Sequence, residues 1–214
     1  MKTRSLALAL ALGVSLTATG AIAAMPAAQQ WDIGPWVRGK NYSVGMPAHP
    51  QQGPNGSLQF DFPLAGAGQV DALTTRVGPL AGARQIVMRY RVDAARGARF
   101  VPHETPGEAA MISLYFQQAG DTWSGKGRYA SYRWYVPGQA VVPLTPGEHT
   151  ITVGLNERWT NVYGVGNDAD QRGFAEALRN TAQIGVAFGS IGRRSHGVYA
   201  TGPARFTLID LDIR

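Results

Sequence analysis

The sequence predicts an all-β sandwich. Short runs alternate apolar and polar residues, glycine and proline recur between them, and only one stretch has a helical period. The chain holds 27 Gly and 13 Pro in 214 residues, and turn residues between alternating runs mark strand boundaries.

The elements follow in order. Residues 57–62, SLQFDF, put Leu58, Phe60 and Phe62 on one face. In 84–93, RQIVMRYRVD, Ile86, Met88, Tyr90 and Val92 share one face, and Gln85, Arg89 and Arg91 the other. Residues 110–117, AMISLYFQ, are apolar on both faces, as a central strand requires. Residues 148–155 align His149, Ile151, Val153 and Leu155, and 183–188 and 204–213 complete the set. PLAGAGQV at 63–70 is echoed by PLAGARQI at 79–86, and TPGE occurs at 105–108 and 145–148. Pro-Gly suits the centre of a type II turn, so these echoes are turn chemistry, too short for a repeat array. The helix is expected over DADQRGFAEALRNT, near 169–180, with Asp168 and Gln171 at capping-box spacing, Phe174, Ala177 and Leu178 on one face, and Asn180 at its end. Eight to ten strands are expected, roughly.

Residues 1–23 have the anatomy of a secretory signal peptide: Lys2 and Arg4, an apolar run from Ser5 to Leu16, and Ala21-Ile22-Ala23 as cleavage site. The expected location is therefore periplasmic or extracellular, with no membrane attachment after cleavage. Residues 24–56 read as an irregular segment packing on the sandwich, and 57–214 as the sandwich. With the signal peptide removed, 18 Lys and Arg face 14 Asp and Glu, a net charge of +4. That mild excess favours an acidic partner and is too small and scattered for a nucleic-acid binder. There is no cysteine, so the fold rests on its core alone; a chain of this size buries roughly 70% of its unfolded surface.

Several chemistries lack their motifs. His49, His103, His149 and His196 show no zinc-ligand spacing. There is no G-x-S-x-G elbow and no phosphate-binding glycine motif.

The segments QQAGDTWSGKGRYASYRWY, LNERWTNVYG, FAEALRNTAQIGVAFGS and SHGVYATGPARFTLIDLDI follow one another in a recognisable order. Over most of residues 55–214 the chain resembles the galactose-binding-like jelly rolls, the fold of many carbohydrate-binding modules. The resemblance implies a jelly-roll β-sandwich of two antiparallel sheets and an exported, non-catalytic module for a poly- or oligosaccharide, with an acidic sugar among the candidates. Some members hold a structural calcium, for which Asp210 is the candidate carboxylate; no partner ligands emerge, and no cofactor is predicted.

Candidate ligand contacts come from the rings and cations. In 129–136, alternation puts Ala130, Tyr132, Trp134 and Val136 on a core face, and Tyr129, Ser131, Arg133 and Tyr135 on the other. An aromatic platform with few polar contacts suits a sugar ring; a solvated face with cross-strand pairs is the alternative. Trp123, in the glycine-rich loop before this strand, is either an anchor under the loop or a platform, and Arg128 lies beside it in sequence. Asp121 is expected as a turn former. Trp159 is a further ligand candidate, or a pin for its crossover. Arg193 and His196, with Arg194 in the loop before the last strand, offer charge-assisted contacts to an acidic sugar, or a solvated loop. Two other classes remain open. One is a polysaccharide lyase-like enzyme on an acidic glycan, using His196, Arg193 and Tyr129 or Tyr135. The other is a periplasmic structural or protein-interaction module.

Overall fold

A computed structural model describes residues 25–214; the predicted signal peptide lies outside the described residues. The strands β1 (Trp31–Gly34), β2 (Trp36–Val37), β3 (Lys40–Asn41), β4 (Gln51–Gln52) and β5 (Leu58–Asp61) come first. Then follow β6 (Ala72–Arg76), β7 (Gln85–Ala94), β8 (Phe100–Pro102) and β9 (Met111–Gln118). β10 (Arg133–Tyr135), β11 (Val142–Pro143), β12 (Gly147–Gly154) and β13 (Thr160–Asn161) lead to the helix α1 (Gln171–Arg179). β14 (Thr181–Gly189), β15 (Val198–Ala200) and β16 (Ala204–Ile213) finish the chain.

These build an all-β sandwich of two main antiparallel sheets with one short helix, and β2-β3 and β8-β15 form two further two-stranded antiparallel sheets. A seven-stranded sheet runs β1-β6-β14-β9-β10-β13, with β11 also paired to β9, and a five-stranded sheet runs β12-β7-β16-β5-β4. The stretch 31–56 supplies an edge strand to each sheet, β1 on β6 and β4 on β5.

Period-two alternation decides what lies between the sheets. Ile112, Leu114 and Phe116 of β9 and Ile184, Val186 and Phe188 of β14 face Met88, Tyr90 and Val92 of β7 and Phe206 and Leu208 of β16, all buried in one cluster. Phe188 joins the sheets: its ring meets Phe60 and Phe62 edge-on at 5.8 Å each and Phe206 at 5.4 Å. Each such ring removes a large apolar area from water, about 1.5–3 kcal/mol for full burial.

The two outer faces differ. On the five-stranded sheet, charges pair in solvent: Arg89 with Glu148, Arg91 with Asp93, and Arg205 with Asp61. Such exposed pairs contribute about 0–1 kcal/mol each. On the seven-stranded sheet, β9 is buried on both faces from Ile112 to Gln118, as its composition predicts.

Two local expectations are corrected. The α1 cap is Asp170, whose carboxylate accepts the Gly173 amide at 2.9 Å. Asp168 instead takes Arg158 at 3.1 Å, because the turn over 166–170 places Asp170, not Asp168, just before the first helical residue. Asn180 does end the helix, its amide donating to the Glu176 carbonyl. The strand expected over 129–136 begins only at Arg133, because Gly127–Ser131 forms a 3-10 turn. Gly125 and Gly127, at φ 64° and 58°, turn the chain into it, and Ser131 is tied to Asp170 at the helix cap. Tyr129 and Ser131 therefore do not share a strand face with Arg133 and Tyr135. Tyr132, expected in the core, is half-buried against Tyr129. Trp134 is fully buried as expected, its indole N–H donating to the Ser131 carbonyl at 2.8 Å.

Phe188→Ala removes the ring that touches both sheets. We expect it to lower folding stability by about 3–5 kcal/mol, read as a fall in the denaturant midpoint.

Candidate functional site

Antiparallel register sets two rows of side chains across the outer face of the seven-stranded sheet. One runs Thr74, Gly185, Tyr115, Tyr135 and the next Arg76, Gln183, Gln117, Arg133. Gly185 makes the first row work. A Cβ there would stand 2.5 Å from the Leu73 carbonyl oxygen and 2.9 Å from the Tyr115 ring. Without it, the Tyr115 ring lies across β14, and its hydroxyl shares a hydrogen bond with Thr74. Burial pushes the pKa of that hydroxyl above its usual value. In the second row Gln117 Nε2 donates to Gln183 Oε1.

Over these rows sits the loop after β9. Asp121 is the turn former its sequence predicts: Oδ1 accepts the Trp123 amide at 3.0 Å. Trp123 is held at φ 63°, a region that costs a bulky residue about 1–3 kcal/mol. Three contacts hold it there. The Arg133 guanidinium lies 3.9 Å from its ring centroid, Tyr115 meets it edge-on at 5.6 Å, and Asp121 holds its backbone. Beneath, Arg133 Nε faces Asp121 Oδ2 at 3.7 Å, with the two side chains 4% and 0% exposed. Burial pushes the Asp121 carboxyl above its ordinary pKa, and Arg133 opposes that shift.

Two adjoining cavities open on this arrangement. One, of about 140 Å³, is lined by Trp36 and Trp123 together with Asp32, Asp121, Thr74, Gln117 and Gln183. The other, of about 290 Å³, extends from Gln117, Asp121 and Gln183 past Gly120 to Arg76. They share Gln117, Asp121 and Gln183 and make up a shallow groove, each part smaller than the roughly 300–1,000 Å³ usual for small-molecule sites. Six buried side-chain polar atoms lack a hydrogen bond among the described residues; Asp121 Oδ2 and Arg133 Nε are the two ends of the 3.7 Å ion pair, and Gln117 Oε1 belongs to a residue that lines both cavities. Orphaned buried polar groups are rare and concentrate where strain or function requires them.

Of the residues singled out in the sequence, Trp123, Arg133 and Tyr135 come together. Arg133 and Tyr135 are buried supports beneath Trp123 and beside Tyr115, not an open platform. The Tyr135 ring lies 5.6 Å from the Arg194 guanidinium, and Arg194 donates to the Val136 carbonyl at 2.8 Å. Arg128 and Tyr129 belong to the 3-10 turn and pair with each other, guanidinium to hydroxyl at 3.0 Å. Trp159, offered as a ligand contact, is instead fully buried in the core. Its ring meets Phe116, and its N–H donates to the Gly154 carbonyl. β13 follows it directly and pairs with β10, so the crossover pins Trp159 inward. Arg193 and His196 flank Glu104, at 3.9 and 3.0 Å, while Ser195 of the same loop lies 3.4 Å from the Tyr135 hydroxyl. The His196 hydrogen bond holds the Glu104 carboxyl below its usual range. Asp210 pairs in register with Arg89, and no group of three or more His, Cys, Asp or Glu converges on one point among the described residues.

Sequence reading missed Asp32, Trp36, Thr74, Gln117 and Gln183. Gln117 was within reach, because the second face of β9 reads Ser113, Tyr115, Gln117, and a buried polar face needs a cover. Asp32 and Trp36 sit at the groove only because β1 pairs with β6.

Gly185→Ala should drive Tyr115 off Thr74 and loosen Trp123. We expect a stability loss of about 1–3 kcal/mol together with a changed tryptophan emission spectrum. Asp71 generates a second prediction. Burial, then the nearby Glu104 charge, pushes its carboxyl up to about 8. The folded chain thus keeps a proton that the unfolded chain releases near 3.8. Its contribution to stability is full below that value and falls as pH rises toward about 8, by about 1.4 kcal/mol per unit. Denaturant unfolding between pH 4 and 8 should show that slope, and Asp71→Asn should flatten it.

No family model matches the chain, and no curated protein does. Among solved structures, a candidate glycoside hydrolase from Bacteroides vulgatus ATCC 8482 is similar at 12% identity and a TM-score of 0.34, over 75% of this chain and 73% of that one. A likeness of that strength assigns neither fold nor activity.

Proposed function

We propose that this chain is an exported, non-catalytic module that binds a glycan in the groove over the seven-stranded sheet. One observation carries the reading: Trp123 is held in a costly backbone conformation by Arg133, Tyr115 and Asp121, and shares the lining of a cavity with Trp36, itself 49% exposed. A lining that joins two tryptophans to amides and a hydroxyl suits a sugar, whose C–H faces pack on rings and whose hydroxyls need donors and acceptors. The groove is preformed, so binding loses little to reorganisation. The resemblance to galactose-binding-like modules supports the same reading, and a sheet-face site is one of the places where such modules bind. The signal-peptide pattern supports a periplasmic or extracellular location.

A lyase would need a base and a cation at one point. His196 and Arg193 are both engaged by Glu104 and Tyr129 stands with Arg128; Tyr135 does meet their loop, at Ser195 and Arg194, but is buried there.

The other three tryptophans, Trp31, Trp134 and Trp159, are fully buried, so a ligand in the groove is reported by Trp36 and Trp123. Titrating a panel of neutral and acidic polysaccharides should give a saturable change in tryptophan emission. Trp123→Ala and Trp36→Ala should each weaken binding by about tenfold or more, as buried tryptophan anchors do. Tyr129→Ala should leave binding unchanged. A folded protein silent across the whole panel would favour the protein-interaction alternative.

A further inference from the structure

We infer that the larger cavity is an anion subsite: the groove takes an acidic glycan, with a uronate carboxylate against Arg76 and Gln183 and sugar rings at Trp123 and Trp36. This rests on the glycan reading above and names the class of sugar. Arg76 and Gln183 pair directly in register across β6 and β14, so their side chains stand side by side on the outer face. Both line the cavity of about 290 Å³. Arg76 is exposed, and among the described residues no carboxylate or other side chain engages it. Gln183 is half-buried, and its carbonyl oxygen takes the Gln117 amide. Its own amide nitrogen donates to no described group. Guanidinium and amide therefore offer the cavity donors. A carboxylate is the acceptor that suits them, because a guanidinium fork grips both its oxygens and the amide takes a further lone pair. A sugar hydroxyl also accepts, but a charge-assisted bond is roughly twice as strong.

The charges around the groove agree. The Asp121 side chain is fully buried and paired with Arg133. Asp32 lines the smaller cavity and not the larger, with His49 Nδ1 at 3.5 Å. No other carboxylate occurs in 31–41, 72–76, 117–135 or 181–189, the segments that surround the groove. The same segments carry exposed cations on both sides of it. Arg38 and Lys40 lie on the hairpin of Trp36, and Lys126 and Arg128 in the stretch that follows Trp123. Lys126 has no side-chain partner among the described residues. Lys40 lies over the Tyr42 ring and Arg128 is bonded to the Tyr129 hydroxyl, contacts that cancel no charge. Such a surface draws an acidic polymer toward it. Arg76 is the one of these cations that lines a cavity, so it decides where a carboxylate is held.

The test uses the purified chain and matched polymers at low ionic strength: polygalacturonate, polyglucuronate and polymannuronate, each against its carboxyl-reduced neutral counterpart. Tryptophan emission gives the affinities. We expect the acidic member to bind more tightly in any pair that binds. Arg76→Gln should weaken it about fivefold and leave the neutral member unchanged. Arg96→Gln removes an exposed arginine in the loop after β7, which lines neither cavity, and should keep the preference. A neutral member that binds as tightly as its acidic counterpart would overturn the inference and leave the groove in place. So would an Arg76→Gln variant that loses nothing, or that weakens both members alike. A preference erased as fully by Arg96→Gln as by Arg76→Gln would show attraction to net charge alone, and would overturn it too. No binding to any of the six polymers by folded protein would bring down the glycan reading and the inference together.

Discussion

Arg133 is a buried cation, and the outer face of the seven-stranded sheet is organised around that fact. Taking a guanidinium out of water costs several kcal/mol unless it is paired. Its pairing with Asp121 at 3.7 Å is loose, and a loose buried pair does not repay full desolvation. The rest comes from the Trp123 ring, 3.9 Å away, since a desolvated cation on an indole face gains about 2 kcal/mol. The arrangement ties three features together. Asp121 needs Arg133, Arg133 needs Trp123, and Trp123 tolerates its left-handed backbone because Asp121 and Tyr115 hold it. Removing one leaves an unpaired charge or an unsupported ring.

The sandwich beneath makes this arrangement rigid. Gly185 sits in β14, flanked by Ile184 and Val186, whose side chains fill the core. The same strand thus anchors the apolar interior and clears the path for Tyr115 outside. The face of the other sheet shows what an unspecialised surface looks like here: exposed ion pairs, one after another, across β12, β7, β16 and β5. That face holds one unpartnered buried atom, Thr207 Oγ1, and no non-glycine residue with a left-handed backbone.

Much of the fold was legible because its cause is local. Alternation in 84–93, 148–155 and 204–213 gives strands directly, since one face of each must be buried. Trp134 reads correctly for the same reason. The start of β10 does not, because the 3-10 turn at 127–131 depends on two left-handed glycines and on the tether of Ser131 to Asp170, which is 39 residues away in sequence. The groove is legible only in part. Trp123, Arg133 and Tyr135 stand in one unusual stretch, and their density of rings and cations is visible without a structure. Asp32, Trp36, Thr74 and Gln183 carry no such signal. They join the site through strand pairing across most of the chain, which period and composition do not encode. Trp159 failed as a ligand candidate on the same ground: an aromatic residue in a crossover reads alike whether it points in or out.

The arginines show why net charge alone does not locate a ligand. A positive net charge suggests an anionic partner, but charge acts on a ligand only where it is free to meet one. Beside Trp123 and Tyr135 the guanidiniums of Arg133 and Arg194 serve the protein itself, on Asp121, on ring faces and on a backbone carbonyl, whereas Arg76 at the far cavity is exposed. Arg suits that work, since its planar head stacks and pairs at once and is less costly to dehydrate than an ammonium. Arg133, Arg128 and Arg194 therefore add to the net charge while being spent on the fold itself.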